Sequence, residues 1–569
     1  MTPSEDLNRR TALFWVAVAT ALGAAFRFYY LAWGAPYFHF HIDEHFVFGP
    51  ADLLRRSTRA AAMSPKFFMY SPLPMYLVNL VRAVYEDVMR PLVLTVPRDE
   101  ITYMVLGRAI SATLGTATIP LVYHVASRVA GRLAGVLAAV LLACSVIHLR
   151  ESHFFTVDIS MTFFTVLAWC FLVRTVERGD TSADVGAGVG LGVGLLSKYT
   201  AAFLVPLIGL AQLLSPKAPR QLRPLGAWVR PVVRGAFVVA IGVAVFLVLD
   251  PLVLQYYGKF RSDIQEQITN PLLGVSRPIW LAHFTDVNPL TYWFTNLLWW
   301  GLGPAFEIWA LAGVIWLFLR RDRLAFLAAA FPIVFWLLAG RSLAPFIRYA
   351  VPLAPPLAVA GGVLSADCIR RRRWRGAAMV ATLVVVTTTA LWAIAYVNVF
   401  GSPDSRLEAS AWLLKNVPRD AKILVEPSHN IPPMGSYLTN VDFNGDYVLW
   451  RSGQRHDYYH LSSLDTYQYL YDHRTGDDDR RRYIQTHLSG ADWIVMDDTF
   501  LQFYQHLPER DHGVVKQYYR DLFAGRLGFQ LVQTFKVYPS LFGRTINDDE
   551  AELTFRLFDH PRVFIFKRQ

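Results

Sequence analysis

The chain has 569 residues, 54% apolar and only 17% charged, against roughly 25% charged in an ordinary soluble protein, which disfavours both intrinsic disorder and a plain cytosolic enzyme. Its formal charge of +11 divides unevenly: residues 401–569 hold 20 Lys and Arg against 23 Asp and Glu, and residues 1–400 hold 35 against 21. Basicity confined to the apolar part marks a membrane protein rather than a nucleic-acid binder, and Cys144, Cys170 and Cys368 all fall in apolar runs that make no disulfide framework.

A helix needs about 20 mostly apolar residues to cross roughly 30 Å of hydrocarbon. Eleven candidate spans meet this in chain order: 11–33, 104–122, 133–148, 157–173, 185–196, 199–214, 235–254, 304–319, 324–339, 343–366 and 376–399. The first has no small-residue cleavage site and reads as a retained anchor. Basic residues collect on the cytoplasmic side of short loops. With the amino end inside, the cytoplasmic connections are 1–10, 123–132, 174–184, 215–234, 320–323 and 370–375, whose 61 residues hold 19 Lys and Arg. This topology puts loops 34–103 and 251–303, and the tail from 400 on, outside.

The segment 185–214 is about 45 Å of helix, too long for one span and too short for two. It therefore reads as a shallow hairpin with Ser197-Lys198-Tyr199 at its tip, the glycines of "VGAGVGLGVGLLSKY" letting the arms pack closely. The tail has a helix in "SRLEASAWLLKNV", strands in "AKILVE", "DWIVMD" and "RVFIFK", and further helices around 499–527, with "DDDRRR" at 477–482 a solvated loop. The expected fold is a polytopic α-helical membrane protein of about 11 spans, residues 1–400, followed by a C-terminal soluble α/β domain, residues 401–569, on the outer face.

Charges beside lipid are costly and mark function. Asp43 and Glu44 in "YFHFHIDEHFVF" leave the membrane together, and one carboxylate beside another suits a general base with a supporting acceptor. A solvated helix cap is the bland alternative. His39, His41 and His45 alternate around them, but the spacing has no distant partner and makes a weak metal site. In "HLRESHFFTVDISMTFF", Arg150, Glu151, His153 and Asp158 crowd the outer end of the fourth span, where Asp158 also suits a helix N-terminus. Arg108, Lys198, Arg341 and Arg348 lie near the same face. Each alone can snorkel to headgroups, whereas together they fit a lipid-linked phosphate. Arg27 and Glu307 are further intramembrane charges and read as structural, with the groups they pair with not identified by the sequence. The aromatic run 280–300 reads as an interfacial belt, with sugar stacking or a prenyl-chain groove as the sharper alternative.

In order and spacing, "HIDEHF", "FFMYSPLPMYL", "LGRAISATLGTATIPLVYHV", "RESHFFTVDISMTFF", "GLLSKYTAAFLVPL", "RYAVPLAPPLA" and "DSRLEASAWLLKNVPRDAKILVE" resemble the GT-C membrane glycosyltransferases. The likeness is greatest to the bacterial family 39 relatives of the protein O-mannosyltransferases and of the lipid A aminoarabinose transferase, and it covers most of 11–425. It implies Asp43 as catalytic base, Glu44 as its neighbour and Asp158 as the second acid of the cleft. Lys198, Arg348, Tyr349 and Arg108 would bind the donor phosphate, with His45, Tyr70, Arg150, His153 and Arg341 as further cleft residues.

One departure matters. The aminoarabinose enzymes carry a lysine before a double proline in the first loop, where this chain has Tyr70-Ser71-Pro72-Leu73-Pro74, which argues against the same lipid A specificity. The oligosaccharyltransferase signature "WWDYG" is also missing.

The implied reaction moves a sugar from a polyprenyl-phosphate donor to an acceptor hydroxyl of a glycan, lipid or protein, with inversion. It needs no obligatory cofactor, leaves a divalent metal open and involves no nucleic acid. The implied place is a bacterial plasma (inner) membrane, and Arg exceeding Lys 46 to 9 fits a GC-rich bacterial genome. The competing reading is a transporter or flippase of a lipid-linked sugar, which places its site near the midplane rather than at one face.

Overall fold

The computed structural model describes residues 6–35, 41–56, 68, 70–89, 100–219, 225–273, 279–426, 428, 430–434, 438–441, 447–450, 459–472 and 474–569. The chain forms two compact units, one of residues 1–31, 43–273 and 290–397 and one of 32–42, 274–289 and 398–569.

The first unit is a bundle of apolar helices, and the protein is a multi-pass membrane protein. Six helices among the described residues are long and apolar enough to cross a membrane, and three apolar helices are shorter. In chain order the bundle has α1 (Arg9–Phe28), α2 (Ile42–Arg56), α3 (Leu73–Met89), α4 (Glu100–Ala143), α5 (Val146–Glu151), α6 (Val157–Arg178), α7 (Thr181–Leu195), α8 (Val205–Leu214) and α9 (Val229–Leu249). After irregular turns come α10 (Pro304–Leu319), α11 (Arg323–Ala339), α12 (Ala354–Arg370) and α13 (Arg375–Gly401). Helix α4 sits centrally, packed on α1, α6 and α12.

The expected spans 104–122 and 133–148 share α4, which is broken at Ala130 and Gly131. Gly131 has φ +83°, a left-handed conformation that costs glycine nothing, and a Cβ there would meet Arg370 Nη2 at 2.8 Å. Beyond the break, the Asp6 carboxylate accepts from the amides of Arg132 (2.9 Å) and Leu133 (3.1 Å), capping a fresh helix N-terminus.

Polar contacts join all six basic connections at one end of this bundle. Arg370 pairs with Asp6 at 3.0 Å, Arg320 donates to the Val129 carbonyl at 3.1 Å and Arg128 pairs with Glu177 at 2.6 Å. Arg234 pairs with Asp184, and Arg323 donates to the Leu214 carbonyl at 3.1 Å. The 22 residues of α6 bring the chain about 33 Å toward that end, so that Asp158 at its start lies far from the basic connections.

The chain breaks where the hairpin tip was expected: α7 stops at Leu195, Lys198 is extended and a 3-10 turn begins at Tyr199. The glycines act differently from the expectation. Gly188 and Gly192 face α9, where added Cβ atoms would lie 2.8 Å from the Val238 carbonyl and 2.6 Å from that of Gly242, and Gly190 faces Ala168 of α6. Small residues thus bring α7 against α6 and α9, and only Gly194 meets the second arm, at Ala201.

The second unit holds a five-stranded sheet built from β1 (Lys422–Val425), β2 (His460–Ser463), β3 (Trp493–Asp497), β4 (Phe529–Phe535) and β5 (Val563–Arg568), in the order β2-β1-β3-β5-β4. The first three strands are parallel, and β5 runs antiparallel to both β3 and β4. Strand β1 is buried from Ile423 to Val425 and β3 is buried throughout, as a sheet covered on both faces requires. Helix α14 (Ser405–Asn416) supplies Ala409 and Leu413 to the core shared with Ile423, Val495 and Ile565.

Residues 477–482, expected as a loop, instead open α15 (Asp477–Ser489). Asp477, Asp478 and Asp479 fill its first turn, where carboxylates oppose the helix dipole, and Arg480 turns inward to the carbonyls of Asp511 (2.8 Å) and Asp472 (2.9 Å).

Candidate active site

An apolar cluster under one end of the first unit carries the polar residues. Val47 and Ala51 of α2, Met75 and Val78 of α3, Phe155 and Val157 at the start of α6, Leu196 and Phe246 pack together there. The Leu73 amide donates to the Leu196 carbonyl at 2.9 Å, tying the Tyr70 segment to the turn that holds Lys198.

Asp43 lies in the first turn of α2 and Asp158 in the first turn of α6. Arg348 and Tyr349 lie on the 3-10 turn Ile347–Leu353, kept from α-helical pairing by Pro352 and by the prolines that open α12. These residues form one continuous chain of contacts. The Tyr70 hydroxyl donates to Asp43, and Arg348 forms an ion pair with the same carboxylate. The Arg348 guanidinium stands 5.4 Å from the centre of the Tyr349 ring, and the Lys198 ammonium 4.4 Å from it. Lys198 then pairs with Asp158 at 2.6 Å.

Exposure separates the two signs. The side chains of Arg348 and Lys198 are 20% and 19% exposed, whereas those of Asp43 and Asp158 are 5% and 2% exposed. An anion arriving at the site meets the cations first. Burial pushes the Tyr70 phenol well above its ordinary range, aided by nearby Tyr349 and Asp158, so it remains a proton donor to Asp43.

Other residues expected in the cleft are engaged in buried contacts of their own. Glu44 is fully buried and accepts from Arg108 Nε and Nη2, both at 2.9 Å, and from the Phe155 amide at 2.8 Å. Arg108 is also fully buried and spends a further donor on the Leu31 carbonyl, 3.0 Å away. This bidentate pair joins α2, α4 and the start of α6. Arg150 pairs with Glu151 and donates to the Tyr396 hydroxyl at 2.9 Å. The ring nitrogens of His153 lie 3.0 and 3.1 Å from the Leu149 and Tyr29 carbonyls. Arg27 closes the end of α4 through the carbonyls of Leu142 and Ala143 and contacts His148 at 2.9 Å. Glu307 is buried in the first turn of α10.

Arg341 is exposed in the turn after α11, and His45 is half-buried on α2. His39 lies outside the described residues, and His41 stacks 4.1 Å from Phe558 within the second unit. Among the described residues no group of three His, Cys, Asp or Glu is placed to hold a metal ion. Sequence reasoning missed Tyr396 as the partner of Arg150. The only signal was a phenol inside an apolar span.

Residues 102–248 match the family model for dolichyl-phosphate-mannose-protein mannosyltransferases. No curated protein matches the chain in sequence. Among solved structures, the apo oligosaccharyltransferase of Archaeoglobus fulgidus aligns with TM-score 0.52 at 12% identity, over 95% of this chain and 75% of that one, and shares the fold. ArnT from Cupriavidus metallidurans bound to undecaprenyl phosphate aligns with TM-score 0.47 at 16% identity, over 72% of this chain and 73% of that one. The S. cerevisiae protein O-mannosyltransferase Pmt1-Pmt2 complex bound to the sugar donor aligns with TM-score 0.34 at 19% identity, over 43% and 34%.

Proposed function

We propose that this protein of the GT-C superfamily, protein-mannosyltransferase-like over residues 102–248, is an integral-membrane glycosyltransferase that uses a polyprenyl-phosphate sugar donor. Residues 1–400 form its catalytic domain and 401–569 an extracytoplasmic domain. It lies in a bacterial plasma membrane with the basic loops cytoplasmic, so that the site opens on the outer face. The observation that carries this reading is the chain Asp43, Arg348, Tyr349, Lys198, Asp158 at the start of α6, which then runs about 33 Å toward the basic loops.

The acceptor hydroxyl attacks the anomeric carbon from the side opposite the phosphate, and the bond from that carbon to the phosphate oxygen breaks. Asp43 takes the hydroxyl proton, and the leaving polyprenyl phosphate gains one negative charge. Arg348 and Lys198 stabilise that growing charge, which removes the need for a general acid. Fixed cations do this best beside lipid, because acyl chains cannot solvate a phosphate.

A carboxylate held by a guanidinium and a phenol is a poor base. The donor phosphate competes for Arg348, and its arrival takes that guanidinium from Asp43 and raises the carboxylate's proton affinity. Binding of the donor therefore switches on the base. Arg108, expected at the phosphate, acts in this account as the anchor of Glu44, which positions the α2 turn carrying Asp43.

The test is incubation of purified protein in detergent with a radiolabelled polyprenyl-phosphate sugar and a panel of hydroxyl acceptors. Covalent transfer, or slow release of free sugar to water, supports the enzyme. Stable binding with no product contradicts it and favours a carrier.

A further inference from the structure

At the end of the first unit that gathers the basic connections, the carboxyl ends of α10 and α12 enclose a pocket of about 550 Å³ lined by Trp316, Leu319, Arg320, Asp367, Arg370 and Arg371. We propose that it holds the phosphate headgroup of an anionic membrane phospholipid.

The lining carries three cations against one carboxylate. Arg320 is engaged by Asp367 and by Asp322 at 2.9 Å. Arg370 reaches Asp6 at 3.0 Å and Asp367 at 3.4 Å. Asp367 also accepts from the Trp316 indole at 3.0 Å, so both of its oxygens already have partners. Arg371 differs from its neighbours. It is exposed, its guanidinium lies 4.4 Å over the Trp316 ring, and no carboxylate pairs with it among the described residues. The adjoining Arg321, Arg372 and Arg373 add to the positive field. A guanidinium held on an indole face keeps its outer donors for a phosphate, and cationic pockets between apolar helices suit lipid headgroups.

The surroundings select a lipid over free phosphate. Ile308, Ile315 and Leu319, spaced seven and four residues apart on α10, form one stripe with exposures of 62%, 64% and 64%. That stripe ends at Leu319, in the pocket wall. An acyl chain lying along it delivers its own headgroup to Arg371. Trp316 sits at the junction, where an indole favours the boundary between hydrocarbon and headgroup. This site stands apart from Asp43 and does not rest on the catalytic proposal.

Full-length protein in detergent is titrated separately with phosphatidylglycerol, phosphatidylethanolamine and inorganic phosphate, and bound lipid is counted by native mass spectrometry. Phosphatidylglycerol is expected to bind in preference to phosphatidylethanolamine, and Arg371→Gln to weaken that binding about five-fold. The Arg481→Gln control, an exposed arginine of α15, is expected to bind as the parent does, and Asp43→Asn to keep the lipid. Equal binding of the two lipids, or unchanged phosphatidylglycerol binding in Arg371→Gln, overturns the proposal. So does competition by inorganic phosphate at the same concentration as the lipid.

Discussion

The buried pair of Glu44 and Arg108 and the half-open pair of Asp43 and Arg348 have opposite roles although they begin at neighbouring residues. The first pair has no exposed side-chain surface, so removing one partner strands a charge in the bundle. Arg108→Leu is expected to destabilise the protein by about 3–5 kcal/mol, and adding Glu44→Leu to recover much of that loss, as read by thermal melting in detergent. The second pair is partly exposed, and in the proposed reaction it is exchanged. Arg348→Gln would remove the proposed charge-assisted contact to the donor phosphate, such contacts being worth about 1.5–3 kcal/mol each. Its donor KM is expected to rise about 10- to 100-fold, and an unchanged donor KM would count against phosphate binding at Arg348. At this scale the sequence singled out the charged residues that the structure gathers around Asp43 and Asp158, because a charge at the edge of an apolar run stands out. It did not show their partners. Arg108 and Glu44 are 64 residues apart and Arg150 and Tyr396 are 246 apart, and no local pattern encodes such pairings.

Among the elements, apolar runs were legible because a helix in lipid must satisfy its own backbone. The break at Gly131 was legible through the basic residues around it. The glycine-rich helix α7 was read as packing on its own hairpin partner, yet it meets α6 and α9. A face of small residues announces close approach without naming what approaches. Gly192→Leu is expected to force α7 away from the Gly242 carbonyl and to lower the melting temperature, overpacking of this kind costing about 1–3 kcal/mol. A melting point equal to that of the parent would place α9 elsewhere. The stretch 477–482 misled because alternation of charge blocks looks like a loop, whereas three aspartates followed by three arginines also match the polarity of a helix start.

At the scale of the whole molecule the two units answer to different physics. In the second, burial alone would lower the pKa of His560, but Asp548 (2.8 Å) and Asp559 (2.7 Å) accept from its two ring nitrogens and push it up to about 9. Burial, with Asp497 adding, pushes Glu426 up to about 8. Both groups hold protons in the folded unit that the unfolded chain releases at lower pH. Their stabilising effect is complete below the unfolded values, about 6.5 for His560 and 4.5 for Glu426, and is lost as pH rises through 9 and 8. Hydrogen exchange of β3 and β5 in the full chain is expected to quicken from pH 6.5 to 9 beyond its intrinsic rise. His560→Gln is expected to remove most of that added dependence, and a profile identical to the parent would refute the assignment.

In the first unit, the proposed reaction depends on a proton leaving an acceptor hydroxyl for Asp43 after the donor phosphate has drawn Arg348 away. Single-turnover transfer of a radiolabelled sugar by Asp43→Asn, with donor binding measured on the same sample, addresses this most directly. Donor binding retained with transfer slowed about 10²- to 10⁴-fold is the predicted result. Transfer at the wild-type rate would contradict it.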